Sequence, residues 1–218
     1  MRCEAGLVGR SATSWLVTFV WGAVSVAVAG ASLISFVQPA WFVRQEKRLD
    51  KDVDVFMFGA FSFCYRIEDD YKCHVYGGLM DSRRSPSGVW QVCGFLYGGG
   101  CILLCCCALA ALLVSALPSP ELRRQAVIGV AITQTVAVVL LLVGLVLFPV
   151  GLGSLFVRRH CGEDSSPYHS GSCQMGWSYT MAIVASILAV YCPLLAFLTT
   201  YKKYESTCYY WIKQYSIL

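Results

Sequence analysis

The sequence predicts an α-helical membrane protein: a left-handed four-helix transmembrane bundle carrying a small, disulfide-stapled extracellular β-sheet. Three observations predict it. Four stretches of the 218-residue chain lack any Asp, Glu, Lys or Arg. They are Trp15–Phe36, Val89–Leu117, Ala126–Gly153 and Gly176–Thr200, each longer than the ~20 residues a helix needs to cross a bilayer core. Only 14% of residues are charged and 57% are hydrophobic, whereas soluble domains run near ~25% charged. Four of the twelve cysteines fall in loops, and all four lie on one side of the deduced membrane. This composition excludes a soluble globule, a disordered chain and a nucleic-acid binder.

The expected organisation is one tetraspan domain over residues 1–218. Spans cover about 15–36, 89–117, 126–153 and 176–200, by length and absence of charge. The first resembles a secretory signal, since Arg2 and Arg10 precede it and Ala27-Val28-Ala29 looks like a cleavage site. Its apolar run continues through Phe36 and Val37, longer than a signal h-region, so it reads as an uncleaved anchor. Between the spans lie loops 37–88 and 154–175 on one side, with segments 1–14, 118–125 and 201–218 on the other. Their net charges are 0 and 0 for the loops, against +1, +1 and +2 for the others. By count, Lys and Arg number ten in the 74 loop residues and seven in the 40 residues opposite. Density, rather than raw count, therefore places the termini and the short middle segment in the cytosol.

The loop cysteines agree with that orientation. Cys64 and Cys73 lie in the first loop, Cys161 and Cys173 in the second, as expected where disulfides persist. Four cysteines allow three pairings, and proximity in sequence favours Cys64–Cys73 and Cys161–Cys173. With no Asn in the chain, N-linked glycan is excluded. Cys3 and Cys208 lie near the cytosolic surface as candidates for palmitoylation; unmodified thiols are the plainer reading.

In lipid, helices associate through close packing of small residues and interhelical hydrogen bonds. The first span offers Ala23, Ala27 and Ala31 at four-residue spacing, the second Gly94 and Gly98, and the third Gln134, whose amide seeks a partner. These surfaces are expected to make contacts within one bundle, with a homodimer as the alternative. Pro149 and Pro193, inside apolar runs, should kink or end helices. The spans hold no ionisable Asp, Glu, His, Lys or Arg, which argues against a pump or proton-coupled carrier. No catalytic motif, phosphate loop or metal-ligand spacing is found. His160–Cys161 and His169–Cys173 do not form such a spacing, so no enzyme, metal or cofactor is expected.

The loops carry a pattern of their own. Trp41 follows the first span, then come Gly59-Ala60-Phe61-Ser62-Phe63-Cys64 and, after eight further residues, Cys73. Asp52–Phe58 mixes alternation with β-branched and aromatic residues, as a half-buried strand would. A tryptophan, a Gly-x-aromatic-x-x-Cys and a second Cys at this spacing resemble the claudin-like tetraspan superfamily. The second loop carries Phe148-Pro149-Val150-Gly151, Cys161-Gly162 and Gly171-x-Cys173-x-x-Gly176-Trp177-x-Tyr179. Together with Gln38-Pro39-x-Trp41 and Pro86-x-x-x-Trp90, this resembles the LHFPL (lipoma HMGIC fusion partner-like) tetraspans over roughly Trp15 to Phe197. The chain departs from the pattern at Leu152, where many members carry Trp, and at Ala60-Phe61, where claudins commonly carry Leu-Trp.

The resemblance implies a small sheet with its first-loop disulfide bridging adjacent strands and its aromatics seated on the membrane ends. It also implies a plasma-membrane accessory subunit. Members of that family assemble with cadherin-type proteins and mechanotransduction channels, or with inhibitory neurotransmitter receptors. The expected partners are therefore membrane lipid and such a transmembrane protein, with no nucleic acid. Adhesion or paracellular barrier formation, as in claudins, is the alternative. At the carboxyl end, Ser216-Ile217-Leu218 fits a PDZ ligand. The tyrosines before it, interleaved with lysines, fit the headgroup layer.

Overall fold

The computed structural model describes residues 7–47, 53–67, 70–76, 87–114, 117 and 120–199. In chain order these form α1 (Leu7–Val37), β1 (Phe42–Lys47), β2 (Val53–Phe58), β3 (Ser62–Ile67), β4 (Asp70–Val75), α2 (Gly88–Val114), α3 (Pro120–Leu147), a 3₁₀ turn (Phe148–Gly153), α4 (Leu155–Cys161), β5 (Gln174–Met175) and α5 (Trp177–Ala189). Helix resumes over 191–199. Four segments are long and apolar enough to cross a membrane: Leu16–Val37, Gly88–Val114, Glu121–Gly153 and Trp177–Thr199. The third begins at Glu121 rather than near Ala126, because helical structure continues through Arg123 and Arg124.

Both prolines act where expected. Pro149 stands in the first turn of the 3₁₀ segment that ends α3, a place where its missing N–H costs nothing. Pro193 cannot donate to residue 189, and the last span breaks at Val190, whose N–H turns to Ile187 and Leu188.

The spans pack as a closed ring in which α1 touches α2 and α5, and α3 touches the same two helices. The buried positions follow one rule. In α1 they include Trp21, Ser25, Val28, Ser32 and Ser35; in α3 they include Val127, Ala131, Gln134, Val138, Leu141 and Leu145. In α2 the same alternation of three- and four-residue steps runs from Trp90 to Val114. A seam repeating every seven residues keeps its face toward the neighbours only if the helices wind left-handedly around one another.

That rule corrects the expectation for the first span. Ala23 and Ala27 are exposed and Ala31 is half-buried. Their strict four-residue step drifts off the seam, so α1 packs through its serines and Trp21 instead. Of the two α2 glycines expected to pack, Gly98 lies against the Phe36 ring of α1, and Gly94 lies against the carbonyl of Ala60 in the turn between β2 and β3. Close approach to a neighbouring helix backbone uses other glycines. A Cβ on Gly100 would stand 3.1 Å from the Ala137 carbonyl oxygen, and one on Gly144 would stand 3.1 Å from Tyr97 N.

Gln134 is wholly buried. Its Nε2 donates to Ser25 Oγ at 3.0 Å and its Oε1 accepts from Trp21 Nε1 at 3.3 Å. These bonds cross the ring diagonally, tying α3 to α1. Replacing Gln134 with Leu removes both and leaves the Trp21 donor unpaired. The expected loss is ~1–2 kcal/mol, because interhelical hydrogen bonds in membranes average below ~1 kcal/mol each. A fall in the melting temperature of the detergent-solubilised variant checks it.

The sheet lies at one end of the bundle. Its five antiparallel strands run in the order β4-β3-β2-β1-β5, so the second loop contributes an edge strand. Cys64 and Cys73 are direct cross-strand partners in β3 and β4 and are bonded to each other. Cys161, the last residue of α4, is bonded to Cys173 just before β5.

Candidate functional site

The joint between sheet and bundle is the most densely organised region. Trp41 lies between α1 and β1 with no exposed surface. Its indole N–H donates to the carbonyl of Ser35 at 2.7 Å. Its backbone N–H donates to Phe58 in β2, and its carbonyl accepts from Gly176 at the start of α5. Its ring meets Tyr97 of α2 edge-on at 5.3 Å, Phe148 after α3 at 4.6 Å and Tyr179 of α5 at 5.3 Å. One side chain thus touches all four spanning segments and opens the sheet. Each such aromatic pair adds ~0.5–1.5 kcal/mol beyond area burial.

Neighbouring groups complete the joint. Ser35 Oγ donates to the Ser32 carbonyl at 2.8 Å, leaving Tyr97 Oη to donate to Ser35 Oγ at 2.9 Å. Trp90 stacks on Phe148 at 4.9 Å and donates to its carbonyl at 3.1 Å. Tyr179 Oη donates to the Leu145 carbonyl at 3.0 Å. Two glycines are set by close approach: a Cβ on Gly151 would overlap the Trp90 indole, and one on Gly176 would overlap the Ala40 carbonyl. The two indoles, the Tyr97 and Tyr179 hydroxyls and Ser35 Oγ are each paired, which stiffens the joint.

Above the joint, α4 covers the sheet. Phe156 and His160 pack edge-on to Phe58 and Phe63 of β2 and β3. Arg44 of β1 donates to the His160 carbonyl. Ser154 caps α4 by accepting from Val157 N–H, and Gly162 ends it at φ +94°, a left-handed conformation suited to glycine. Ser172 then donates through both N–H and Oγ to the Cys161 carbonyl, so the second disulfide sits inside a hydrogen-bonded turn.

The remaining residues singled out from the sequence fall into three places. Gly59 lies under Pro39, where a Cβ would come within 2.7 Å of its Cα, and Phe61 is partly exposed against Phe36 at 5.8 Å. Trp177 is 54% exposed at the membrane-facing start of α5, as interfacial tryptophans are. Cys3, Cys208, Ser216 and Leu218 lie outside the described residues. Among the described residues, no group of three or more His, Cys, Asp or Glu could hold a metal ion. His74 stacks on Tyr65, and His169 Nδ1 accepts from Gly171 N–H.

Sequence reasoning missed members of the joint, above all Ser35 and Tyr97, and read Tyr179 only as part of the second-loop pattern. The heptad seam that selects Ser35 and Tyr97 was present in the sequence. Tyr76 was also missed: its ring lies 6.2 Å from Trp90, and burial pushes its phenol well above the ordinary value. The arrangement offers no nucleophile paired with a base. What it offers is a rigid coupling between a folded sheet and four spans.

Comparison with known proteins identifies a family. The family model described as Lipoma HMGIC fusion partner-like protein matches residues 17–202. The chain is 28% identical over 193 residues to LHFPL tetraspan subfamily member 2a protein of Danio rerio, covering 82% of this chain and 84% of that one. It is 29% identical over 179 residues to LHFPL tetraspan subfamily member 7 protein of Xenopus tropicalis, covering 81% and 87%. To LHFPL tetraspan subfamily member 3 protein of Homo sapiens it is 25% identical over 181 residues, covering 82% and 72%.

Proposed function

The chain belongs to the lipoma HMGIC fusion partner-like family of tetraspans, and from that premise we propose that it is a non-enzymatic accessory subunit of a membrane receptor or channel complex. Membership makes it a multi-pass membrane protein. The finer reading is that it sits in the plasma membrane with both termini cytosolic and the sheet outside. There it binds a transmembrane partner, such as a cadherin-type protein, a mechanotransduction channel or a neurotransmitter receptor, and helps its assembly and delivery.

One observation carries the reading. Trp41 joins the sheet to every span, so sheet and bundle form a single body. A partner held at both its membrane-proximal ectodomain and its transmembrane segment would be aligned by that body without any chemistry. Neither half needs to bind tightly, since linking two weak contacts raises the effective concentration of the second.

Gentle-detergent purification of the tagged full chain from expressing tissue tests this. A membrane receptor or channel subunit should copurify at fixed stoichiometry, and its surface level should fall when the chain is depleted. If the chain purifies alone, and instead concentrates at contacts between otherwise non-adherent cells, the adhesion reading replaces it.

A further inference from the structure

The second loop holds one residue against its backbone preference. Ser166 to His169 form a tight turn, in which His169 N–H donates to the Ser166 carbonyl at 2.8 Å and Ser166 N–H to the His169 carbonyl at 3.0 Å. Pro167 takes the second place and Tyr168 the third, at φ +64°. A positive φ at the third place ordinarily belongs to glycine or asparagine. Among the described residues, Tyr168 is the one non-glycine residue with a positive φ. Glycine would suit this backbone better, so the reason for tyrosine lies in its side chain.

That side chain reaches the third span. Tyr168 N–H donates to the Pro149 carbonyl at 3.1 Å, and Tyr168 Oη donates to the Val146 carbonyl at 3.0 Å. The ring therefore lies along the end of α3, directed from the loop into the span Glu121–Gly153. The carbonyls there need donors. A helix leaves its last four without intrahelical partners, and Pro149 stands where a donor to Leu145 would otherwise be. Tyr179 Oη supplies Leu145 from within the bundle. Tyr168 supplies Val146 from outside it.

Exposure identifies what surrounds the ring. Tyr168 is 64% exposed and Val146 60%. Val146 continues a row of exposed apolar side chains, Val136, Val139 and Val143, along one face of α3, and in a tetraspan that row faces lipid. A tyrosine at a water surface turns its polar tip outward. This one turns its hydroxyl down the helix and pairs it, as a hydroxyl entering hydrocarbon must.

We propose that the Ser166–His169 turn is a membrane anchor. It is seated in the headgroup layer of the leaflet on the sheet side, with the Tyr168 ring among the upper acyl chains of phospholipid beside Val143 and Val146. Trp177, exposed where α5 begins, marks the same boundary. The anchor is independent of the partner reading above, since it concerns lipid alone.

The test uses the purified full chain in phosphatidylcholine nanodiscs containing a photoreactive phosphatidylcholine, its diazirine near the carboxyl end of one acyl chain. Peptide mass spectrometry maps the label. Labelling of residues 166–169 should match that of Val143 and Val146, whereas Tyr71 and Val75, also exposed but on β4, should take none. Tyr168→Gly, which suits the turn, should lose the label at residues 167 and 169 while Val146 keeps it. Tyr168→Phe, which retains the ring, should keep the label at both places. Retained label on Val146 reports an intact bundle, so loss at the turn is not loss of fold. Label on the turn no higher than on β4, or unaltered by Tyr168→Gly, overturns the proposal. So does a turn labelled by a water-soluble diazirine in place of the lipid one.

Discussion

Trp41→Ala should be the most damaging single substitution in the chain, lowering stability by ~3–5 kcal/mol, the range for truncating a buried tryptophan. The size follows from what the ring touches. Removing it takes away aromatic contacts to Tyr97, Phe148 and Tyr179 together and opens a cavity where the four spans meet the sheet. It also orphans the Ser35 carbonyl, which accepts the indole N–H. The comparison residue is Trp177, over half exposed. Trp177→Ala should change stability by no more than ~0.5 kcal/mol, as exposed substitutions do. Melting curves of the two variants in the same detergent, read by fluorescence-detected gel filtration, separate them. Equal shifts would mean that the joint is no more important than the rim.

Removing the first-loop disulfide should have the next largest effect, and a local one. Closing a ten-residue segment restricts the unfolded chain by about 2–3 kcal/mol. β4 is an edge strand and its side chains from Tyr71 to Val75 are exposed. Among the described residues its strand partner is β3 alone, so the disulfide stands in for the core that the strand lacks. In Cys64→Ser with Cys73→Ser, amide exchange should accelerate in β4 while β1 and β2, held by Trp41 and α4, keep their protection. Surface abundance in cells should fall as the loosened hairpin is retained. Unchanged exchange in β4 and unchanged surface level would show that strand pairing suffices.

The parts of the fold that were legible in the sequence are those with a one-dimensional signal. Uninterrupted apolar length located the spans, and even cysteine numbers per loop located the staples. The sheet's full extent was not legible. β1 reads Phe-Val-Arg-Gln-Glu-Lys, with three charges in six residues, and β5 is only two residues long. Neither has a periodicity of its own; both are strands because Trp41 and Gly176 bring their backbones together. The alanine stripe misled for a related reason. Small size allows close approach, but only the seven-residue seam decides which face is approached, and on α1 that face is marked by Trp21, Ser25, Ser32 and Ser35. At the joint, tryptophan and glycine positions were visible as a family pattern. The hydroxyl pairs that complete it were not, because Tyr97 meets a serine on another helix and Tyr179 meets a backbone carbonyl, and neither pairing has a sequence signature.

The accessory reading depends on the sheet facing the exterior, where a partner's ectodomain can reach it. Two single-cysteine additions test this directly with a membrane-impermeant maleimide on intact cells. Leu155→Cys places a thiol on exposed α4 at the sheet end, and Glu121→Cys places one at the exposed start of α3, at the opposite end. Labelling above that of the unsubstituted chain should appear for Leu155→Cys at once, and for Glu121→Cys only after permeabilisation. The reverse order would put the sheet in the cytosol and contradict the assembly role.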